Sequence, residues 1–204
     1  LFFVLFSCYH FGEQQWTHRF QSKTNSPQFF YFVYGAFLFS MLFWSHAEQT
    51  QFIIKELSDL HIAPILFQYM TYTSVCFCVL YLLLQFSAAK TLMIDVLLQS
   101  ALLMLLFWTN NLIVSFCTYF IIWHSWPSLQ DQTRTLYNKP NAYFAYLKDA
   151  FPYWIISILG LSLFFAYNEQ IGLNPLALFF AFLAAITFPH VLVIFGLHQK
   201  FKLS

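Results

Sequence analysis

Residues Ala63–Phe86, APILFQYMTYTSVCFCVLYLLLQF, contain no Asp, Glu, Lys, Arg or His. A helix needs about 20 predominantly apolar residues to cross roughly 30 Å of hydrocarbon, and this stretch meets that length. In lipid the backbone N–H and C=O groups must bond within the segment, which makes a lone apolar run of this kind a helix. Comparable runs lie on either side, at Phe29–Ser45, Thr91–Trp108, Leu112–Pro127, Pro152–Tyr167 and Pro175–His198, and a shorter one covers Leu1 to about Gln15. The expected fold is all-α: a polytopic transmembrane helix bundle of about seven membrane segments, forming a single integral membrane domain over residues 1–204. The start, Leu1-Phe2-Phe3-Val4, lies inside an apolar run with no Met, basic n-region or small-residue cleavage site. It reads as a chain lacking its true N-terminus and not as a signal peptide.

Composition agrees. Apolar residues make up 60% of the chain and charged residues 8%, against roughly 45–50% and about 25% in soluble domains. So few charges do not keep a surface of this size in water. A net charge of +1 supplies no field for a polyanion, so no nucleic-acid partner is expected. Cys8, Cys76, Cys78 and Cys117 all sit in apolar runs, which argues against a secreted disulfide framework. Two connections carry more than turn residues. Glu48–Leu60 alternates apolar and polar residues at helical spacing and is expected on the membrane surface. Thr133–Asp149, with Tyr137, Tyr143 and Tyr146, also reads as interfacial.

The cations give the sides. If the spans alternate, Arg19, Lys23, Lys90, Arg134, Lys139, Lys148, Lys200 and Lys202 share one side and Lys55 alone lies on the other. The positive-inside rule then places the C-terminus in the cytoplasm, as expected for a multi-pass protein of a cell membrane. Depth follows from the same cations. His10 lies nine residues from Arg19, His124 ten from Arg134, and His190 ten from Lys200. At 1.5 Å per residue those separations are about 14–15 Å along continuous helices, half of the hydrocarbon thickness. Histidines on separate helices are thus expected at one level near mid-membrane. Intramembrane ionisable groups are costly and usually functional, and neutral imidazole is the commonest protein metal ligand. A hydrogen bond between helices, a proton relay, a heme and a metal site all remain open for them. His18, His46, His61 and His198 lie at span ends and read as interfacial.

Each of the three positions has polar company. Glu13 is i+3 from His10, on one helix face, where it either orients the imidazole, ligates a metal or starts a polar loop. Ser128 and Asp131 are i+4 and i+7 from His124, and Pro127, three residues after His124, either kinks the helix or begins a new one. Pro189 precedes His190 and frees a carbonyl. The chain has no G-x-x-x-x-G-K-[ST], G-x-G-x-x-G, H-E-x-x-H or G-x-S-x-G. The tightly spaced histidine boxes of membrane desaturases are missing, and no Lys lies at the depth a retinal Schiff base requires.

The segments SCYHFGEQ (Ser7–Gln14), WHSWPSLQDQ (Trp123–Gln132) and ITFPHVLVI (Ile186–Ile194) together resemble the Brp/Blh family of membrane β-carotene 15,15′-dioxygenases, in its flavobacterial form. The resemblance extends along the chain in order and spacing. It implies Fe(II) held by histidines in a membrane helix bundle, with O₂ splitting β-carotene at its central double bond into two all-trans retinal molecules. The resemblance carries the metal and catalytic roles to His10, His124 and His190. Glu13, Ser128 and Asp131 are the supporting candidates beside them. Two departures stand out. The family's earlier His-Gly-x-x-Asp motif is absent from this chain, and Ser128 occupies a position where many members carry a second histidine. The implied partners are a carotenoid, O₂, membrane lipid and a retinal-binding opsin. A carotenoid or retinal carrier without catalysis is the alternative, and a proton-coupled transporter using a histidine relay ranks below it for want of an internal repeat.

Overall fold

The computed structural model describes residues 2–20, 27–137, 142–167, 172 and 174–187. The described residues form helices joined by short connections. Helix α1 spans Phe2–Trp16 and tightens into a 3₁₀ turn at Thr17–Arg19. Next come α2 (Pro27–Ser45), α3 (Ala47–Ser58), α4 (Pro64–Leu84) and α5 (Phe86–Thr109). Helix α6 (Leu112–Tyr119) continues through a π-helical segment, Phe120–Ser125, into α7 (Trp126–Leu136). Helix α8 covers Ala142–Ala166 and α9 covers Pro175–Thr187. Five stretches are long and apolar enough to cross a membrane: Pro27–Ser45, Pro64–Leu84, Leu92–Thr109, Leu112–Arg134 and Ala142–Ala166. Helix α9 is a shorter apolar helix, and α1 is 15 residues long. The all-α membrane bundle expected from the sequence is the observed fold.

The chain divides into two compact units: Leu1–Phe52 with His61–Pro127, and Ile53–Leu60 with Ser128–Ser204. In the first unit, α2 is the central helix and packs on α1 and α4. Phe30, Tyr34, Leu38 and Leu42 run along its buried side. Lipid tails are as apolar as leucine, so membrane helices associate through close packing and polar contacts. Both devices are present. Helices α1 and α2 cross antiparallel with reciprocal glycines. A Cβ on Gly12 would stand 1.9 Å from the Tyr31 carbonyl oxygen, and one on Gly35 would stand 1.8 Å from that of Cys8. The polar contacts lie where α1 meets α5. Arg19 donates to Asp95 at 2.6 Å, and one turn further in, Gln15 donates to Gln99 and, at 3.2 Å, to the Tyr34 hydroxyl. The rest of α4 and α5 presents Leu, Met and Tyr outward, including Leu84, Leu97 and Leu105. Such faces suit acyl chains.

Long-range contacts establish which helix ends lie together in this unit. Arg19, after α1, meets Asp95, near the start of α5. At the other end, His46 Nε2 donates to the Asn110 carbonyl at 3.0 Å, joining the ends of α2 and α5. That is the alternation on which the cation asymmetry rests. The Arg19–Asp95 pair is itself exposed, with relative side-chain exposures of 56% and 27%. Arg19→Ala is therefore expected to change stability by at most about 1 kcal/mol. A thermal-unfolding comparison checks this, and a larger loss would mean that the pair clamps α1.

Three boundaries differ from expectation. The span opening at Leu112 does not stop at Pro127, because the helix runs through it. Proline lacks an N–H, and its ring crowds the carbonyl four residues back. The π turn immediately upstream widens the helix where that crowding falls. The next span begins at Ala142 and not at Pro152, which sits inside α8. Membrane helices tolerate such prolines because neighbouring groups re-satisfy the freed carbonyl. As a result, the interfacial stretch read as Thr133–Asp149 shrinks: its first residues finish α7 and its last begin α8. The amphipathic segment at Glu48–Leu60 forms α3, as its periodicity predicts. In the second unit, Tyr137 donates to Asp149 at 2.6 Å, and that bond raises the phenol's pKa.

Candidate functional site

His10 lies in α1 and His124 in the π segment, 114 residues apart in sequence. Their ring centroids are 5.2 Å apart with planes inclined at 78°. Both side chains are buried, with 5% and 3% relative exposure. Two imidazoles sharing one ion, each about 2.1 Å from it through nitrogen, place their centroids roughly 4.5–5.3 Å apart. The observed separation falls in that interval and also within the 4.5–7 Å range of ordinary edge-on ring pairs. The continuity required by the depth argument also holds. Helix α1 continues into its 3₁₀ turn up to Arg19, and the span beginning at Leu112 runs to Arg134.

Aromatic rings fix the pair. Phe11 stacks on His124 with centroids 4.0 Å apart and planes within 7°. Phe120, one turn before His124, lies 5.0 Å away at 37°. Behind Phe11 stand Tyr119 at 5.9 Å and Phe39 at 5.2 Å. His124 is thus held between Phe11 and Phe120 with the His10 ring edge-on to it. Aromatic pairs of this kind contribute roughly 0.5–1.5 kcal/mol beyond their area burial, enough to select one ring orientation.

The backbone at His124 is also specialised. The Trp126 N–H bonds to the Ile121 carbonyl, an i to i+5 closure. Such π turns are uncommon and occur frequently at functional sites. Gln14, one turn beyond His10 on α1, donates its Nε2 to the His124 carbonyl at 2.8 Å. One helix therefore supplies the first imidazole, the ring stacked on the second, and a hydrogen bond to the second's backbone.

The remaining candidates are distributed differently. Glu13 is half-buried and accepts from the Tyr9 hydroxyl at 3.2 Å. Ser128 and Asp131 fall in the second unit, where Ser128 Oγ accepts from Gln132 at 2.9 Å. His190 and the Pro189 beside it lie outside the described residues. Among the described residues, no group of three or more His, Cys, Asp or Glu is arranged to hold a metal ion. His10 and His124 are the two candidate ligands brought together there. The histidines read as interfacial have other work. His46 bonds Asn110, His61 accepts from Gln51 at 3.0 Å, and His18 is exposed in the 3₁₀ turn.

The sequence model of the family described as Beta-carotene 15,15′-dioxygenase matches residues 1–198. The chain belongs to this family. The match covers the His10 and His124 segments and also takes in His190. No curated protein and no solved structure matches the chain. Membership in the β-carotene 15,15′-dioxygenase family relates the chain to carotenoid dioxygenases.

Sequence reasoning missed four features of this family member's site: the stacking of Phe11, the π turn, the Gln14 contact and the paired glycines. Two had a signal. Pro127 marks a carbonyl that an ordinary helix cannot satisfy, so an irregular turn was readable just before it. Gly12, in an otherwise bulky aromatic segment, marks a close helix crossing.

Proposed function

We propose that the chain is an integral membrane non-heme iron oxygenase that uses O₂ to cleave β-carotene at its 15,15′ double bond, giving two all-trans retinal molecules. The observation carrying this reading is the buried His10–His124 pair at 5.2 Å, within a chain matched by the family over residues 1–198. His10 and His124 would hold Fe(II), with His190 proposed to supply the further imidazole. Bound Fe(II) with vacant positions supplies the site at which O₂ and an alkene meet. In the overall reaction the carbon–carbon double bond breaks and each carbon gains one oxygen atom from O₂. No external reductant or net proton is required.

The protein's own part is placement and exclusion. Phe11 and Phe120 keep the His124 ring from turning. The apolar surround excludes water, which protects a reactive oxygen chemistry. A C₄₀ hydrocarbon dissolves in the bilayer, so a site about half-way through the slab suits a polyene cut at its centre. The protein is proposed to be a multi-pass cell-membrane protein with its C-terminus in the cytoplasm and a retinal-binding opsin as the consumer of its product.

The test is a product assay. The purified protein in lipid nanodiscs, given Fe(II), O₂ and β-carotene, is expected to yield two retinal molecules per carotenoid consumed. Intact, iron-loaded protein that forms no retinal would refute the proposal. A second reading, a carotenoid or retinal carrier without catalysis, is favoured by Ser128 standing where many members of the family carry a second histidine. Protein that retains carotenoid without iron and without turnover would establish that reading.

A further inference from the structure

We infer that Gln14 is a positioning residue for His124, acting through the backbone of the π turn; this rests on His10 and His124 being the metal pair. A carbonyl oxygen only accepts, so the group facing the His124 carbonyl at 2.8 Å must be the Gln14 amide nitrogen. Its other end, Oε1, is fully buried and, among the described residues, has no hydrogen-bond partner. Burying an amide oxygen unsatisfied is unfavourable. The side chain therefore sits there in spite of its acceptor, and among the described residues its hydrogen bond is the contact with His124.

The turn gives that contact its consequence. In a π turn the backbone repeat is longer than in the flanking α-helix, so carbonyls and side chains rotate out of the α register. A fixed carbonyl at residue 124 fixes the peptide plane, and with it the direction in which the His124 Cα–Cβ bond leaves the helix. Gln14 is i+4 from His10, so both residues lie on one face of α1. The same helix face thus carries one imidazole and sets the backbone from which the other projects. Spacing between the rings is then determined by a single rigid element, which is what a metal site requires of its supporting groups.

Outer groups that orient a ligating histidine typically change metal affinity 10–100-fold when removed. Such groups usually act on the ring nitrogen; here the handle is the main chain. Gln14→Met keeps the length and much of the volume of the side chain while deleting the donor. Co(II) is the probe, titrated into detergent-solubilised protein by visible absorption, with thermal unfolding followed in parallel. Gln14→Met is expected to weaken Co(II) binding at least tenfold and to alter the ligand-field bands, with its unfolding midpoint kept near that of the parent. Gln14→Glu, which sets a carboxylate against the carbonyl, is expected to lose at least as much. Parent-like affinity and bands in both variants would overturn the inference and leave the metal pair standing. Parent protein that binds no Co(II) and no Fe(II) would overturn the metal reading itself, and the inference with it. A spectrum unchanged while stability falls would assign Gln14 to packing alone and also overturn it.

Discussion

Gly35→Ala is expected to abolish the native α1–α2 crossing. The added methyl carbon would lie 1.8 Å from the Cys8 carbonyl oxygen and 2.5 Å from its carbon. Both are backbone atoms and cannot turn aside as a side chain would, so the helices must separate. Overpacking a well-filled interior typically costs about 1–3 kcal/mol, and a clash with main chain belongs at or above the top of that range. Gly12→Ala meets the Tyr31 carbonyl in the same way and is expected to behave alike. Thermal unfolding and size-exclusion profiles in detergent measure the effect. A monodisperse Gly35→Ala protein with the parent's midpoint would show that the two helices do not approach this closely. Gly160, which has no neighbour within 4 Å of a built Cβ, is the control expected to accept alanine without such strain.

His124→Ala and His10→Ala are each expected to reduce iron binding by more than about a hundredfold, beyond the 10–100-fold typical of groups that only orient a ligand. Retinal formation is expected to fall to background in both. Metal content by mass spectrometry and retinal by chromatography are the measurements. Each substitution also removes a buried ring, so the unfolding midpoint must accompany them. The stacking of Phe11 on His124 makes His124→Ala the more destabilised of the two. His46→Ala is the matched control, since its ring bonds Asn110 at the far end of α2. Iron content unchanged in a folded His10 or His124 variant would remove that residue from the site. Iron lost equally from the His46 variant would point to general instability instead of ligation.

These two predictions depend on different layers of information. His10 and His124 were legible as a candidate pair because helical rise and the cation asymmetry are one-dimensional quantities. Counting from Arg19 and Arg134 gives depth without any knowledge of neighbours. Apolar run length identified the spans for the same reason, since hydrocarbon thickness fixes how many residues a helix needs. Span edges near Pro127 and Pro152 were misread, because proline's local preference competes with a bilayer that penalises any unpaired backbone. The lipid environment won at both positions and kept the helices going.

Lateral placement was not legible. Depth puts two imidazoles at one level but leaves open whether they are 5 Å or 25 Å apart across the bundle. The 5.2 Å separation exists because α1, which carries His10, packs directly against the π segment that carries His124. Phe11 and Gln14, one and four residues after the first histidine, then hold the second.

The amino-acid order alone determined that the chain is a helical membrane protein, and it set expectations for which way its helices alternate and at what depth its histidines sit. All three follow from length, hydropathy and charge, properties each segment carries without its neighbours. Only the tertiary structure decided that two of those histidines meet, because convergence is set by helix crossing and ring stacking between residues more than a hundred positions apart.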